Sequence, residues 1–332
     1  MEEIMTAQKW MDARLREMGL VPVVKIDNAG DALPLADALS AGGLPCAEIT
    51  FRTDAAADAI RSIRENRPGM LVGAGTVLTM EQLDRAIDAG AQFIVSPGLN
   101  PKIVEAALAK DMPVYPGCAT PTEVEAAMEL GLTTVKFFPA EAAGGIPMLS
   151  SLAAPYQSIR FMPTGGIDKS NMNKYLALPN VIACGGSFMV KSDWLKAGDW
   201  DAVRTETEAA VKTMLGLEMG HFAIMAKDKE DLTTSSTALG EMLCLPANIN
   251  PDGRGAMVGG AFEVLNSREE GLYPHAALLT NDPARAKAWF ERRGYSFREE
   301  TCQYDEKGNL KVAYFEGEWC GIRMHLLKKV QG

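Results

Sequence analysis

The chain has 332 residues, 47% hydrophobic and 23% charged, with a net charge of −10. That length exceeds one ordinary domain but fits a barrel of roughly 200 to 250 residues with a smaller partner. No apolar run approaches the ~20 residues of a membrane helix, so no membrane partner is expected. The opening MEEIMTAQKWMDARLREMGL lacks the apolar core of a signal peptide, and the acidic balance disfavours nucleic acid.

Six scattered cysteines (Cys46, Cys118, Cys184, Cys244, Cys302 and Cys320) form no C-x-x-C pair. This predicts reduced thiols in a cytoplasmic protein rather than a disulfide framework or a zinc ribbon. From Leu20 to Ser187 one grammar repeats every 20 to 25 residues or so: a short Val/Ile/Phe-rich run ends in Gly, Pro or Thr, then an Ala/Leu-rich amphipathic stretch follows. The strand candidates are LVPVVKI (20–26), PCAEITF (45–51), MLVGAGT (70–76), QFIVSPG (92–98), MPVYPG (112–117), TTVKFFP (133–139), IRFMPTGG (159–166) and VIACGGS (181–187). Alternation of this kind predicts parallel strands with right-handed crossovers. Eight such units, with no G-x-G-x-x-G after the first strand, predict an α/β fold of the (β/α)₈ TIM-barrel type rather than an open dinucleotide-binding sheet. The first twenty residues read as an extra helix over the barrel's N-terminal side, and 199–217 as a closing helix.

Beyond that point the pattern changes. GHFAIMAKD (220–228), AMVGGAFEVLN (256–266), PHAALLTND (274–282), LKVAYFEG (310–317) and GIRMHLLKK (321–329) alternate with period two, as half-buried antiparallel strands do. KEDLTTSSTALGEML and PARAKAWFERRG read as helices. The expected division is a barrel over 1–217 and a smaller α+β domain over 218–332.

In such a barrel, function gathers where strands end and helices begin. Period-two alternation puts Glu48, Thr50 and Arg52 on one face of PCAEITFR, and Thr134, Lys136 and Phe138 on one face of TTVKFFP. A Glu and a Lys inside apolar strands either meet within the barrel or carry a heavy desolvation cost under the helices. They form a structural ion pair or a catalytic one. In the catalytic case, desolvation among Val135, Phe137 and Phe138 favours a neutral Lys136 amine. Such an amine attacks a ketone to give a Schiff base, with Glu48 as proton shuttle. PTGGI (163–167) and CGGS (184–187) present backbone N–H groups after the seventh and eighth strands. These are either tight turns or a phosphate cradle made with Ser187. Thr76, from GAGT, is a candidate donor to a substrate carboxylate, and Arg52 pairs with that carboxylate, with Glu48, or with both.

PCAEITFRT, VGAGTVL, FIVSPGLN, TTVKFFPAE, FMPTGGI and CGGSFMV, running in order from Leu20 to Leu217, resemble the 2-keto-3-deoxy-6-phosphogluconate / 4-hydroxy-2-oxoglutarate aldolase family. The resemblance implies a class I, cofactor-free lyase on a TIM barrel, usually a homotrimer, acting on a phosphorylated 2-keto acid of the Entner–Doudoroff type. It places the Schiff-base lysine at Lys136 and the acid/base at Glu48. The pyruvate contacts fall at Arg52, Thr76 and Pro97, and the pocket lining at Phe138 and Thr164. The phosphate cradle falls at Gly165, Gly166, Gly185, Gly186 and Ser187. Departures at Lys25 and Asp27, and at Cys118 and Ala119, bear on which aldehyde is preferred. The rival readings are a sugar-phosphate epimerase with an electrostatic Lys136, and a ligand-binding scaffold serving the second domain.

Residues 218–332 resemble the vicinal-oxygen-chelate superfamily, built from paired βαβββ halves as in glyoxalases. The likeness rests on GHFAIMAKD and PHAALLTND, each with a His seven residues before an Asp. It implies metal ligands at His221, Glu263, His275 and His325, a set suited to a divalent first-row ion. A metal-free binding, sensing or oligomerising module is the alternative.

Overall fold

The computed structural model describes residues 6–267 and 273–329, which divide into two compact units, Met1–Met214 and Leu215–Gly332. Among the described residues no helix is long and apolar enough to cross a membrane.

The first unit opens with the helix Ala7–Met18. Thr6 caps it by accepting a hydrogen bond from the Lys9 N–H, and Gly19 ends it in the left-handed region. Met11, Leu15 and Met18, at helical spacing, are buried. Asp12 accepts hydrogen bonds from the Thr134 and Tyr115 hydroxyls at 2.6 and 2.8 Å, which fixes the helix over the N-terminal ends of the barrel strands. The strands are β1 (Leu20–Val24), β2 (Cys46–Thr50), β3 (Leu71–Gly75), β4 (Ile94–Val95), β5 (Val114–Tyr115), β6 (Gly117–Cys118), β7 (Thr134–Phe137), β8 (Arg160–Pro163) and β9 (Cys184–Gly186). All pair in parallel, in the orders β5-β4-β3-β2-β1-β9 and β6-β7-β8. Bridges from Thr164 to Gly185 and from Phe161 to Val181 join β8 to β9 and close the ring. MPVYPG is therefore two short strands rather than one. They meet at Pro116, which has no N–H for the ladder.

Helices follow the strands and cover the ring, for example Ala32–Ala41, Ala56–Asn66 and Met80–Asp88. Pro121–Glu129 carries a full capping box between Thr120 and Glu123. The helices after β8 and β9 are short, Met172–Leu176 and Ser192–Ala197. They begin several residues past the glycine pairs, so the glycines do not abut helix N-termini. Gly185 and Gly186 lie inside β9, opposite Val21 and Pro22, not beyond its end.

The second unit runs β10 (Glu218–Ala226), helix Lys229–Leu243, β11 (Ala247–Ile249), β12 (Gly255–Val258) and β13 (Phe262–Asn266). It then repeats the order with β14 (His275–Thr280), helix Pro283–Arg292, β15 (Gln303–Tyr304), β16 (Leu310–Tyr314) and β17 (Arg323–Lys328). One eight-stranded sheet results, ordered β11-β12-β13-β10-β14-β17-β16-β15. Two expectations are corrected here. AMVGGAFEVLN is a hairpin turning at Gly259 and Gly260, not one strand. The sheet is mixed, because β10 pairs with β13, and β14 with β17, in parallel, while β10 and β14 run antiparallel. Leu232 from the first helix packs into a core of Ala226, Ala256, Val258 and Val264.

All six cysteines are free; Cys46, Cys118 and Cys184 are buried while Cys244 and Cys320 are exposed. Burial pushes the Cys118 thiol up to about 12. Brief iodoacetamide treatment of the native protein at pH 8 should therefore alkylate Cys244 and Cys320 and spare the three buried thiols. Peptide mapping reads the result, and early labelling of Cys118 would contradict this packing.

Candidate functional site

β2 and β7 deliver the two ionisable groups of the barrel interior. Glu48 and Lys136 are 1% and 5% exposed, and Lys136 Nζ lies 3.3 Å from Glu48 Oε1. Charged groups this deep must be paired, and only half of this carboxylate is. Glu48 Oε2 is buried with no hydrogen-bond partner. Phe138, just past β7, sets its ring 5.4 Å from Lys136 Nζ, a cation–π distance. The space for Glu48 exists because β3 ends in Gly75. A Cβ there would stand 2.1 Å from Glu48 Oε1, a contact the sequence reading did not anticipate.

The remaining barrel candidates sit at the same C-terminal strand ends. Arg52 follows β2 in a turn and is exposed. It forms no ion pair with Glu48, so that expected bridge is absent; the carboxylate meets Lys136 instead. Thr76, directly after β3, has a left-handed backbone (φ 56°), and Pro97 is two residues past β4. Thr164 is buried at the end of β8 and faces Gly185, where a Cβ would stand 2.3 Å from the Thr164 hydroxyl. Gly165 and Gly166 turn with φ of 102° and 79°, and the Gly166 carbonyl accepts from Asn171 Nδ2. Ser187 is exposed just beyond β9. Lys25 and Asp27 pair with each other at 2.5 Å, exposed after β1.

In the second unit, four strands bring His221, Glu263, His275 and His325 together. His221 Nε2 and His275 Nε2 are 3.2 Å apart, and Glu263 Oε2 lies 3.5 and 3.2 Å from them. One ligand nitrogen from each histidine falls within 4.8 Å of the others. The register of β10 against β14 shifts between Met219 and Phe222, a bulge of the kind that re-aims side chains beside functional sites. Burial pushes His325 down to about 4 and, against the pull of Glu263, also lowers His221. The hydrogen bond from His275 holds the Glu263 carboxyl below its usual range despite burial. At neutral pH His221 and His325 are therefore uncharged donors facing an ionised carboxylate. His275 Nδ1 lies 2.9 Å from the Tyr273 carbonyl, and His325 Nε2 is buried without a hydrogen-bond partner. Tyr314, which sequence reasoning passed over, stacks on His325 at 4.6 Å. The cross-strand pairing of these two residues would have placed it.

The profile of the KDPG and KHG aldolase family matches residues 11–206. The 2-dehydro-3-deoxy-phosphogluconate aldolase of Haemophilus influenzae is 52% identical over 190 residues, 57% of this chain and 90% of that protein. The KHG/KDPG aldolase of Escherichia coli K12 is 45% identical over 193 residues, 58% of this chain and 91% of that protein. The KDPG aldolase of Legionella pneumophila, solved with pyruvate captured at low pH as a covalent carbinolamine, superposes with a TM-score of 0.58 at 38% identity. It covers 60% of this chain and 97% of its own. With the lysine and the glutamate facing each other inside the ring of strands, the chain belongs to the KDPG and KHG aldolase family.

Proposed function

We propose that the barrel is a Schiff-base aldolase that cleaves 2-keto-3-deoxy-6-phosphogluconate to pyruvate and glyceraldehyde 3-phosphate. The same chemistry extends to 4-hydroxy-2-oxoglutarate, giving pyruvate and glyoxylate. The observation that carries this reading is the 3.3 Å contact between Lys136 Nζ and Glu48 Oε1 in a buried site. Lys136 attacks the C2 carbonyl, and Glu48 supplies the proton with which the carbinolamine oxygen leaves as water. Glu48 then takes the proton of the C4 hydroxyl as the C3–C4 bond breaks. The bonding pair moves into the iminium to give the enamine, and the aldehyde departs. Protonation of C3 and addition of water release pyruvate and the free amine. No metal or cofactor enters these steps.

In this reading Arg52, Thr76 and Pro97 hold the pyruvate carboxylate end, and Phe138 and Thr164 line the pocket. Gly165, Gly166, Gly185, Gly186 and Ser187 take the phosphate. The left-handed Gly165–Gly166 turn and the exposed Ser187 support that assignment. The active protein is a cytoplasmic homotrimer, an assembly that light scattering tests. The division at 217/218 assigns a glyoxalase-like second domain of paired βαβββ type, supported by the repeated strand order of the two halves. There His221, Glu263, His275 and His325 hold a divalent first-row ion. The fit rests on the neutral imidazoles, the ionised carboxylate and the orphan Nε2 of His325. Such an ion supplies Lewis acidity.

Borohydride reduction with pyruvate should add one pyruvyl group to the protein, mapped to Lys136; no adduct on active protein would return the barrel to the epimerase or scaffold readings. Lys136→Ala should lose cleavage entirely, and Glu48→Gln should slow it by ~10²–10⁴, with circular dichroism checking the fold of both. Gly75→Ala drives a Cβ into Glu48 and should lower kcat by at least ~10-fold while changing KM little. An unchanged kcat would mean that Glu48 is not held as described. For the second domain, EDTA should strip about one metal equivalent by elemental analysis and leave cleavage intact. His221→Ala should lower metal content.

A further inference from the structure

The His cluster opens into a cavity of about 550 Å³, within the ~300–1,000 Å³ range of small-molecule sites. Its lining includes the apolar Leu265, Val312 and Leu327. It also includes two arginines, Arg298 and Arg323, which the metal reading leaves without a role. Arg323 is committed: it lies 3.7 Å over the Tyr273 ring and pairs with Glu318 at 3.2 Å. Arg298 is not. Among the described residues its guanidinium has neither an ion pair nor a hydrogen bond, although its backbone is fixed. Its N–H donates to the Tyr314 carbonyl, and its own carbonyl accepts from the Thr301 N–H and hydroxyl. A half-buried guanidinium on a fixed backbone, lining a cavity and lacking a partner, is a ready fork for an oxyanion.

The charge balance narrows the ligand. With a divalent ion on the histidines, that ion and the two guanidiniums stand against Glu263 and Glu300 in the lining and Glu318 beside Arg323. One positive charge is left uncompensated. A monoanion neutralises it, whereas a phosphate dianion overshoots and would bring its second charge toward Glu300. We infer that this cavity binds a small organic acid. Its carboxylate pairs with Arg298, and a carbonyl or hydroxyl oxygen at its other end points to the ion held by the histidines. The inference rests on the metal reading of the second domain. 2-Oxo acids such as the pyruvate released by the proposed barrel chemistry fall in this class.

The test uses the full chain loaded with Co²⁺, whose visible absorption reports only the ion's own surroundings and so is blind to ligands in the barrel. Lactate should change the cobalt spectrum at a concentration at least 10-fold lower than uncharged methyl lactate or glycerol 3-phosphate. Arg298→Gln should remove that preference while leaving the ligand-free cobalt spectrum unchanged, which also reports that the domain is folded. A cobalt spectrum that lactate does not alter would overturn the inference and leave the metal site standing. So would equal responses to acid and ester, a preference for the phosphate, or an undiminished acid preference in Arg298→Gln. Failure to form any cobalt spectrum would remove the metal reading and the inference with it.

Discussion

The barrel is organised around one expensive arrangement, a lysine and a glutamate placed together where almost everything else is apolar. Bringing either charge out of water costs several kcal/mol, and mutual attraction recovers that only with good geometry and full hydrogen bonding. Here the geometry is incomplete, because Glu48 Oε2 has no partner and the one contact is 3.3 Å. An apolar pair of the same volume would pack at least as stably. Stability therefore does not explain the pair, whereas the proposed roles of nucleophile and proton shuttle do. In that proposal the unused acceptor oxygen is the atom a substrate hydroxyl needs. Neighbouring choices serve the same end: β3 ends without a side chain to admit the carboxylate, and the Thr50 hydroxyl donates to the Val24 carbonyl at 2.9 Å.

The second unit uses burial in a different way. Its histidines are drawn from strands far apart in sequence, and desolvation holds His221 and His325 neutral. The surrounding charge is then carried by Glu263, which the His275 hydrogen bond keeps ionised. A cluster of neutral nitrogens beside a carboxylate has unspent donor capacity, most plainly at His325 Nε2. Three imidazoles packed this closely leave lone pairs crowded together, and a cation relieves that crowding better than a water does.

The pairing of Glu48 with Lys136 was legible because both sit in short, mostly apolar strands, where the alternative to meeting inside the barrel is a heavy desolvation cost under the helices. The convergence of the three histidines and Glu263 was legible as well, since two of the histidines open matched segments. What sequence could not supply depended on registration between strands. Gly75 reads as an ordinary strand-end glycine until β3 is set against β2. The Gly259–Gly260 turn was hidden because apolar letters on both sides read as one strand. β11 and β15, three and two residues long with exposed side chains, have no periodicity to detect. Arg298 lies outside the segments the sequence pattern marks, Arg323 lies in one of them without standing out, and only the folded sheet shows that both line the cavity beside the histidines.

The two proposed chemistries, with opposite requirements, can share this chain because their ligand sets do not compete. A Schiff-base site needs its amine free, and a first-row ion bound to Lys136 or Glu48 would block it. Three imidazoles and a carboxylate outrank a lone amine–carboxylate pair for such ions. Thiolates would be the stronger rivals, yet among the described residues no cysteine belongs to a group of three or more such ligands. Among the described residues, the group of His, Cys, Asp and Glu close enough to hold an ion is the histidine trio. Desolvation also keeps Cys118 protonated and so unavailable as a soft ligand. In the proposed reading, metal is thus directed to the second unit by the chemistry of the side chains alone, and the barrel's proposed nucleophile needs none.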